Sequence, residues 1–347
     1  MYFKSKQLEK FRSFKGPLID VRSPSEYYKG HMPNSINIPL FDNDERAIIG
    51  TIYKKEGKKK AVIKGLKFFE KKIDSLLDHL FMIIDSHNII PKKKNNESYI
   101  RIYCSRGGMR SQSLAWLLEK YKLNPITLKG GYKKYRRSIL DSFSKKWKII
   151  IIGGKTGTGK TRLLSLLEEY KYQTIDLEGF ACHRGSTFGG LGMKEQPTNE
   201  HFENVIAEKL YSFKTIHNIF VEAESSNIGK CKIPHEFFNQ MKTSKRIEIV
   251  RSESNRLDEL INTYSVFKKE ELKESVLRIK KRLGPQRTKI ALESINDEKW
   301  DSVCRSVLDY YDRCYEYEKA GKENITLLDL TDKKYDERIL ELINDIM

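Results

Sequence analysis

WKIIIIGGKTGTGKTRLLSLLEEY, residues 147–170, is the stretch on which the fold turns. Its four consecutive isoleucines leave no polar face, so Trp147–Gly154 reads as a strand covered on both sides, as in a parallel sheet. TRLLSLLEEY reads as the helix that follows, with leucines at helical spacing. Between them GKTGTGKT, Gly154–Thr161, satisfies G-x-x-x-x-G-K-[ST] in the strand-then-helix context that this pattern needs. The loop through Gly154, Gly157 and Gly159 is suited to cradle a di- or triphosphate on backbone N–H groups. Lys160 would neutralise the charge, and Thr161 could ligate a Mg²⁺ ion.

Downstream, this P-loop pattern is followed by further strands at QTIDLEG, HNIFVEAES (His217–Ser225) and RIEIV (Arg246–Val250). The expected acidic partner at a strand end is not an aspartate: Glu222 and Glu224 stand there instead. That favours diphosphate binding over rapid nucleotide hydrolysis. From Ser254 the pattern is mostly helical, down to a weak strand at ITLLDL, Ile325–Leu330. DLEGFACHRGSTFGGLG, Asp176–Gly192, sets His183 and Arg184 among small residues in a loop that suits a phosphate or nucleotide. A lone histidine suits ordinary packing equally well.

Upstream, CSRGGMRS (Cys104–Ser111) is a second anion-type loop, between the strand YIRIYC and the amphipathic helix SQSLAWLLEKY. Cys104, Ser105, Arg106, Gly107, Gly108, Met109 and Arg110 form it. The glycines allow tight folding with N–H groups turned inward, the helix adds its positive end, and Arg110 adds a donor fork. Together they favour a reactive thiolate at Cys104 and an oxyanion beside it, with Cys104 and Arg110 the catalytic pair. Further strands are expected at PLIDVRS (Pro17–Ser23), SINIPL (Ser35–Leu40) and NPITLKGGY, with Ser23 capping a short helix. Strands alternating with helices give an α/β class for both halves.

The 347 residues suggest two domains, 1–143 and 144–347, with a helical insertion over about 42–95 in the first. Lys and Arg exceed Asp and Glu by 65 to 47, a net charge of +18, which asks for a polyanionic partner or reflects a lysine-rich surface. No stretch is apolar for the roughly 18–20 residues of a membrane span, and the N-terminus lacks a signal-peptide pattern, so no membrane role is expected. The cysteines at 104, 182, 231, 304 and 314 contain no C-x-x-C pair. Neither a disulfide framework nor a cysteine metal site is expected, and the chain reads as cytoplasmic and reduced.

PLIDVRSPSEYYKGHMPNSINIPL resembles the first half of a rhodanese domain, and Gly130–Tyr132 its closing turn. That resemblance implies a sulfur or selenium carrier at Cys104. The C-x5-R spacing, one residue wider than the usual sulfurtransferase loop, suits a tetrahedral phosphate-sized ligand. With FDNDERAIIGTIYKKEG (Phe41–Gly57), DLEGFACHRGSTFG and RLGPQRTKIALE (Arg282–Glu293), nearly the whole chain resembles the tRNA 2-selenouridine synthase family. The resemblance implies a rhodanese-like domain followed by a P-loop NTPase-like parallel α/β domain with a helical C-terminal portion. It implies a transferase that replaces the sulfur of wobble 2-thiouridine, position 34, with selenium from selenophosphate, by way of S-geranylation with geranyl diphosphate. The two donors are then co-substrates, with no tightly bound cofactor, and a selenophosphate-producing enzyme is an implied partner.

On that reading the surplus charge serves tRNA phosphates, with Lys58–Lys60, Lys92–Lys94, Lys133–Arg137 and Arg282–Lys289 as candidate contacts. His183, Arg184, Arg282 and Arg287 are candidate substrate-binding residues, and Tyr53, Phe180 and Phe188 candidate platforms for a splayed base. Two alternatives stay open: a C-x5-R phosphatase or arsenate reductase joined to a nucleotide-binding module, and a catalytically silent tRNA-binding regulator.

Overall fold

Five parallel strands build the first sheet: β1 (Ser5–Lys6), β2 (Leu18–Asp20), β3 (Ser35–Asn37), β4 (Ile100–Tyr103) and β5 (Pro125–Leu128). Their order is β1-β5-β4-β2-β3. The computed structural model describes residues 5–86, 99–319, 325–331 and 341. Lys92–Lys94 and the expected end of the insertion lie outside the described residues. Strand β4 is central, and Ile102 stands opposite Ile19 on β2 and Thr127 on β5. Ile19 and Ile102 pack with Leu114 and Leu118 of the helix Met109–Lys120.

Among the described residues the insertion is three helices, Asn43–Glu56, Lys58–Glu70 and Ile73–Ser86. The DNDER segment starts it for a local reason. The Asp42 carboxylate accepts from the Glu45 N–H at 2.9 Å, and Glu45 returns a bond to the Asp42 N–H at 3.1 Å, a capping box. Lys72 then bridges both carboxylates at 2.7 Å. The last helix turns Leu76, Leu80 and Ile84 into the sheet's core, the four-residue step placing them on one face.

This unit runs to Ser142 and takes in Thr198–Glu208, which lies past the 143/144 boundary drawn from the sequence. The segment packs here because Asn204 is fully buried. It donates to the His31 carbonyl (2.9 Å) and the Tyr132 hydroxyl (2.8 Å), and accepts from Arg136 (3.0 Å).

The second unit is Phe143–Pro197 with the chain from Lys209 onward. Its sheet contains β6 (Lys148–Gly154), β7 (Gln173–Ile175) and β8 (Asn218–Glu222). A short antiparallel pair, β9 (Asn227–Ile228) and β10 (Cys231–Lys232), stands apart. β11 (Lys245–Val250) and β12 (Ile325–Asp329) complete the sheet, in the parallel order β12-β11-β6-β8-β7. Every residue of β6 after Lys148 is buried, as its isoleucine run requires. Leu163, Leu164 and Leu167 of the following helix cover Ile150, Ile152 and Ile249. Beyond β11 lies the expected helical portion. Leu272, Val276, Ala291, Ile295, Val303 and Val307 form its own apolar core.

Candidate functional site

Cys104 stands directly after β4, at the carboxyl end of the first sheet, where parallel α/β folds place their ligands. Its side chain is buried (3% exposed), and Sγ lies 3.2 Å from Ser111 Oγ on the first turn of the next helix. The loop is held from below by the glycine turn. The Tyr132 N–H donates to the Cys104 carbonyl and the Lys133 N–H to the Ser105 carbonyl, both at 2.9 Å. Gly131 makes this docking possible: at φ +57°, an added Cβ would stand 2.2 Å from the Cys104 carbonyl oxygen. Gly107, at φ +66°, is equally constrained by the Leu128 carbonyl. Gly108 is not: a Cβ there meets nothing within 4 Å.

Arg110 does not stand alone over the loop. It donates to both Glu26 oxygens, at 2.6 and 3.3 Å, and to Ser105 Oγ at 2.9 Å. Ser105 in turn donates to Glu26 at 2.8 Å. Arg46 of the insertion lies 3.7 Å from the same carboxylate. Burial acts to raise the Glu26 pKa, but the Arg110 guanidinium, the Ser105 hydroxyl and the Ser23 N–H outweigh it and hold the group at about 2. Arg106 and Met109 are exposed at the loop's outer side. Behind the loop, Asp20 and Arg22 of the DVR segment form a buried pair at 2.7 Å, with Arg22 also over the Tyr132 ring.

The second cradle follows β6. Gly154, Gly157 and Gly159 all take positive φ, and Lys160 opens the helix Lys160–Glu169. The Lys160 ammonium folds back to the Gly154 carbonyl at 3.1 Å. Three supports come from distant sequence. The Gly154 N–H donates to the Tyr315 hydroxyl at 2.6 Å, and that hydroxyl accepts from Arg246 and donates to Glu248. Arg256 donates to the Thr156 carbonyl at 2.9 Å and pairs with Asp312 at 2.5 Å, while Lys155 lies 3.7 Å from Asp312. Nothing in the local motif signals Tyr315, Arg256 or Asp312; their roles depend on helices more than 95 residues downstream.

Glu222 ends β8 and is fully buried. Its Oε1 accepts from the Glu178 N–H at 2.8 Å, and Glu178, Glu222 and Glu224 cluster within 4.8 Å. His183 and Arg184 occupy the loop beside them. The His183 N–H donates to the Glu178 carbonyl, and Arg184 donates to the Leu191 carbonyl at 2.9 Å. Burial lowers the His183 pKa. Arg287 pairs with Asp309 at 2.7 Å, and Arg282 is exposed. Among the base-stacking candidates, Tyr53 is 58% exposed, whereas Phe188 is 3% exposed and packs with Leu272 and Val276. Phe188 is a core residue: an aromatic side chain closed in by leucine and valine has no face to offer a base.

A cysteine at the mouth of a parallel sheet, joined to a P-loop α/β unit, defines a two-domain protein with one cysteine-centred loop and one P-loop. Residues 5–138 match the rhodanese-like domain model, and residues 147–342 match the model described as the tRNA 2-selenouridine synthase AAA domain. The tRNA 2-selenouridine synthase of Sulfurovum sp. is 33% identical over 87% of this chain and 88% of its own length. That of Nitrosomonas eutropha is 36% identical over 72% of this chain, and the match spans 63% of that relative's length. Among solved structures, the full-length tRNA isopentenylpyrophosphate transferase of Bacillus halodurans is similar at 14% identity and a TM-score of 0.36, over 58% of this chain and 96% of that one. The chain belongs to the tRNA 2-selenouridine synthase family. Among the described residues, no helix is long and apolar enough to cross a membrane.

Proposed function

We propose that this chain is a tRNA-modifying transferase that exchanges the sulfur of wobble 2-thiouridine for selenium. The observation that carries the reading is one chain holding two anion loops of different chemistry, one built around a buried thiol and the other around Lys160. Family membership supports it, and the relatives' printed name supplies the substrate class. In this reading the Lys160 loop holds the diphosphate of geranyl diphosphate. The thione sulfur attacks the geranyl C1, a C–S bond forms, the C–O bond breaks, and diphosphate leaves as the base gives up its N3 proton. The alkylated sulfur is then a competent leaving group. Selenium from selenophosphate attacks C2, geranyl thiol departs, and water cleaves the remaining P–Se bond to release phosphate. In this scheme selenium passes from selenophosphate to C2 without a carrier, and Cys104 and its loop are the site that holds the tetrahedral donor.

The exposed basic residues supply salt-dependent tRNA affinity. A selenophosphate-producing enzyme is the implied partner, and the cytoplasm the implied compartment. The test is mass spectrometry of nucleosides from 2-thiouridine tRNA incubated with the protein, geranyl diphosphate and selenophosphate. A selenium-for-sulfur mass shift that needs both Cys104 and Lys160 is expected. Unchanged 2-thiouridine, or selenation that survives Cys104→Ser, overturns the reading. Geranylation that survives Lys160→Ala overturns the loop assignment alone.

A further inference from the structure

The DNDER segment, Asp42–Arg46, carries one side chain that its local structure does not explain. Asp42 and Glu45 cap the helix Asn43–Glu56 and are tied together by Lys72. Asn43 fastens that helix beside the cysteine loop, since its Oδ1 accepts from the Ser25 N–H at 2.9 Å, one residue before Glu26. Arg46 takes no part in the cap. The anchored first turn delivers it to the Glu26 carboxylate, with Nε 3.7 Å from Oε1. Gly50, one turn further along the helix, leaves room for it: a Cβ there would stand 2.8 Å from Arg46 Nη1. Glycine is unfavourable inside a helix relative to alanine, so this room is kept against local preference.

Glu26 already has a closer arginine. Arg110 reaches it at 2.6 Å and Ser105 Oγ at 2.8 Å. Arg110 and Glu26 alone cancel in charge, whereas Arg46 leaves one guanidinium in surplus. Its 3.7 Å separation is about 0.8 Å longer than a charge-assisted N–H···O bond of about 2.9 Å. The Arg46 side chain is 39% exposed and has the freedom to close that gap, while Glu26 is 24% exposed. A part-buried carboxylate that stays ionised is costly to leave without a cation. An anion that draws Arg110 away from Glu26 meets that cost unless a second cation moves in.

We propose that Arg46 is the reserve partner of Glu26: when a tetrahedral oxyanion of the phosphate class enters the Cys104 loop, Arg46 closes on the carboxylate and frees Arg110 to bind the anion. Arg46 is then a positioning residue, acting through Glu26 without touching the ligand. The inference rests on the reading of the Cys104 loop as the site of the tetrahedral donor.

The experiment uses inorganic phosphate as the probe, on the full chain at constant ionic strength. Protection of Cys104 from iodoacetamide, read by peptide mass spectrometry, reports occupancy of this loop whatever the P-loop holds. Saturable protection is expected in the unaltered chain. Arg46→Ala should raise the half-protecting phosphate concentration about fivefold, or about 1 kcal/mol, the upper range for a part-exposed ion pair. Arg46→Lys, which keeps the charge, should recover part of that loss. In a Glu26→Gln background the Arg46→Ala effect should shrink below about twofold, because a neutral amide needs no replacement cation. Glutamine keeps the capping bond to the Ser23 N–H, so the helix start survives. Phosphate protection unaltered by Arg46→Ala overturns the proposal and leaves the oxyanion reading standing. A fivefold loss that persists in the Glu26→Gln background also overturns it, since Arg46 would then act on the anion directly. Absence of saturable protection in the unaltered chain overturns the oxyanion reading of the loop, and the proposal with it.

Discussion

Replacing Gly131 with alanine should loosen the cysteine loop from a position outside it. The new Cβ would stand 2.2 Å from the Cys104 carbonyl oxygen, 2.4 Å from the Gly107 nitrogen and 2.8 Å from the Arg106 nitrogen. All three are backbone atoms, so no side chain can swing aside. The turn must lift, which breaks the two bonds from Tyr132 and Lys133 to the loop carbonyls. Each is worth about 1 kcal/mol net, and holding alanine at φ +57° adds about 1 more, for about 3 kcal/mol in all. At about 1.4 kcal/mol per decade, the open form of the loop gains about two decades in population. Alkylation of the buried Cys104 thiol, read by peptide mass spectrometry, should therefore quicken by about 100-fold when opening limits the rate. Melting should fall by about 6–12 °C if the unit unfolds cooperatively. Gly108→Ala is the matched control, since its Cβ meets nothing and its φ is −99°. An alanine at 131 that leaves both readouts as they are in the Gly108 variant would refute the docking argument.

His201 stacks on His31 at 3.9 Å, and its pKa is lowered to about 4 by burial and by the His31 charge. Between its ordinary value near 6.5 and 4 the unfolded chain binds a proton that the folded chain refuses, so stability should fall as pH drops through that window. Urea unfolding at pH 7 and pH 5 checks it: His201→Phe, which keeps a ring in the stack, should show a smaller loss, and an equal loss would assign the effect elsewhere. Lys133 and Lys134 are exposed on the helix after the closing turn. If they contact tRNA phosphates, changing both to alanine should reduce the salt slope of tRNA binding by about 1.4–1.8, measured by filter binding between about 50 and 200 mM salt. An unchanged slope removes them from the footprint.

Both sheets were legible, apart from the edge strand β1, because their signals are local: the isoleucine run of β6, the strand–Cys–helix order around β4, and glycines whose positive φ a turn demands. The sequence treats Gly107 and Gly108 alike, and only the packing of Leu128 and Gly131 against the loop separates them. The buried Glu222 could be named from its strand. Glu178 could not be placed beside it, because their meeting depends on β7 and β8 being neighbours. The same holds for Glu26, 84 residues from the Arg110 that it holds, and for Asp312, 56 residues beyond Arg256. Segment Thr198–Glu208 was missed for a related reason: nothing in its helical pattern says which sheet Asn204 will face.

The two loops share a device that only these long-range partners disclose. Each has an arginine that is engaged before any ligand arrives, Arg110 by Glu26 and Arg256 by Asp312. An arginine held by a carboxylate is fixed in direction, so less side-chain entropy is lost when an anion binds, but much of its field is already neutralised. At the first loop the opposing carboxylate has a pKa of about 2, so it stays ionised across the working range and pH does not release Arg110. An incoming anion must then rely on backbone N–H groups, or draw Arg110 away from Glu26. The second loop differs in one respect. Lys160 is hydrogen-bonded to a neutral carbonyl rather than to a carboxylate, with Glu178 the carboxylate within its field. If the two loops bind the proposed donors, charge recognition falls mainly to Lys160 in the P-loop unit and, while Glu26 holds Arg110, to backbone geometry around Cys104. On this argument Lys160→Ala should weaken inorganic pyrophosphate binding far more than Arg256→Lys does.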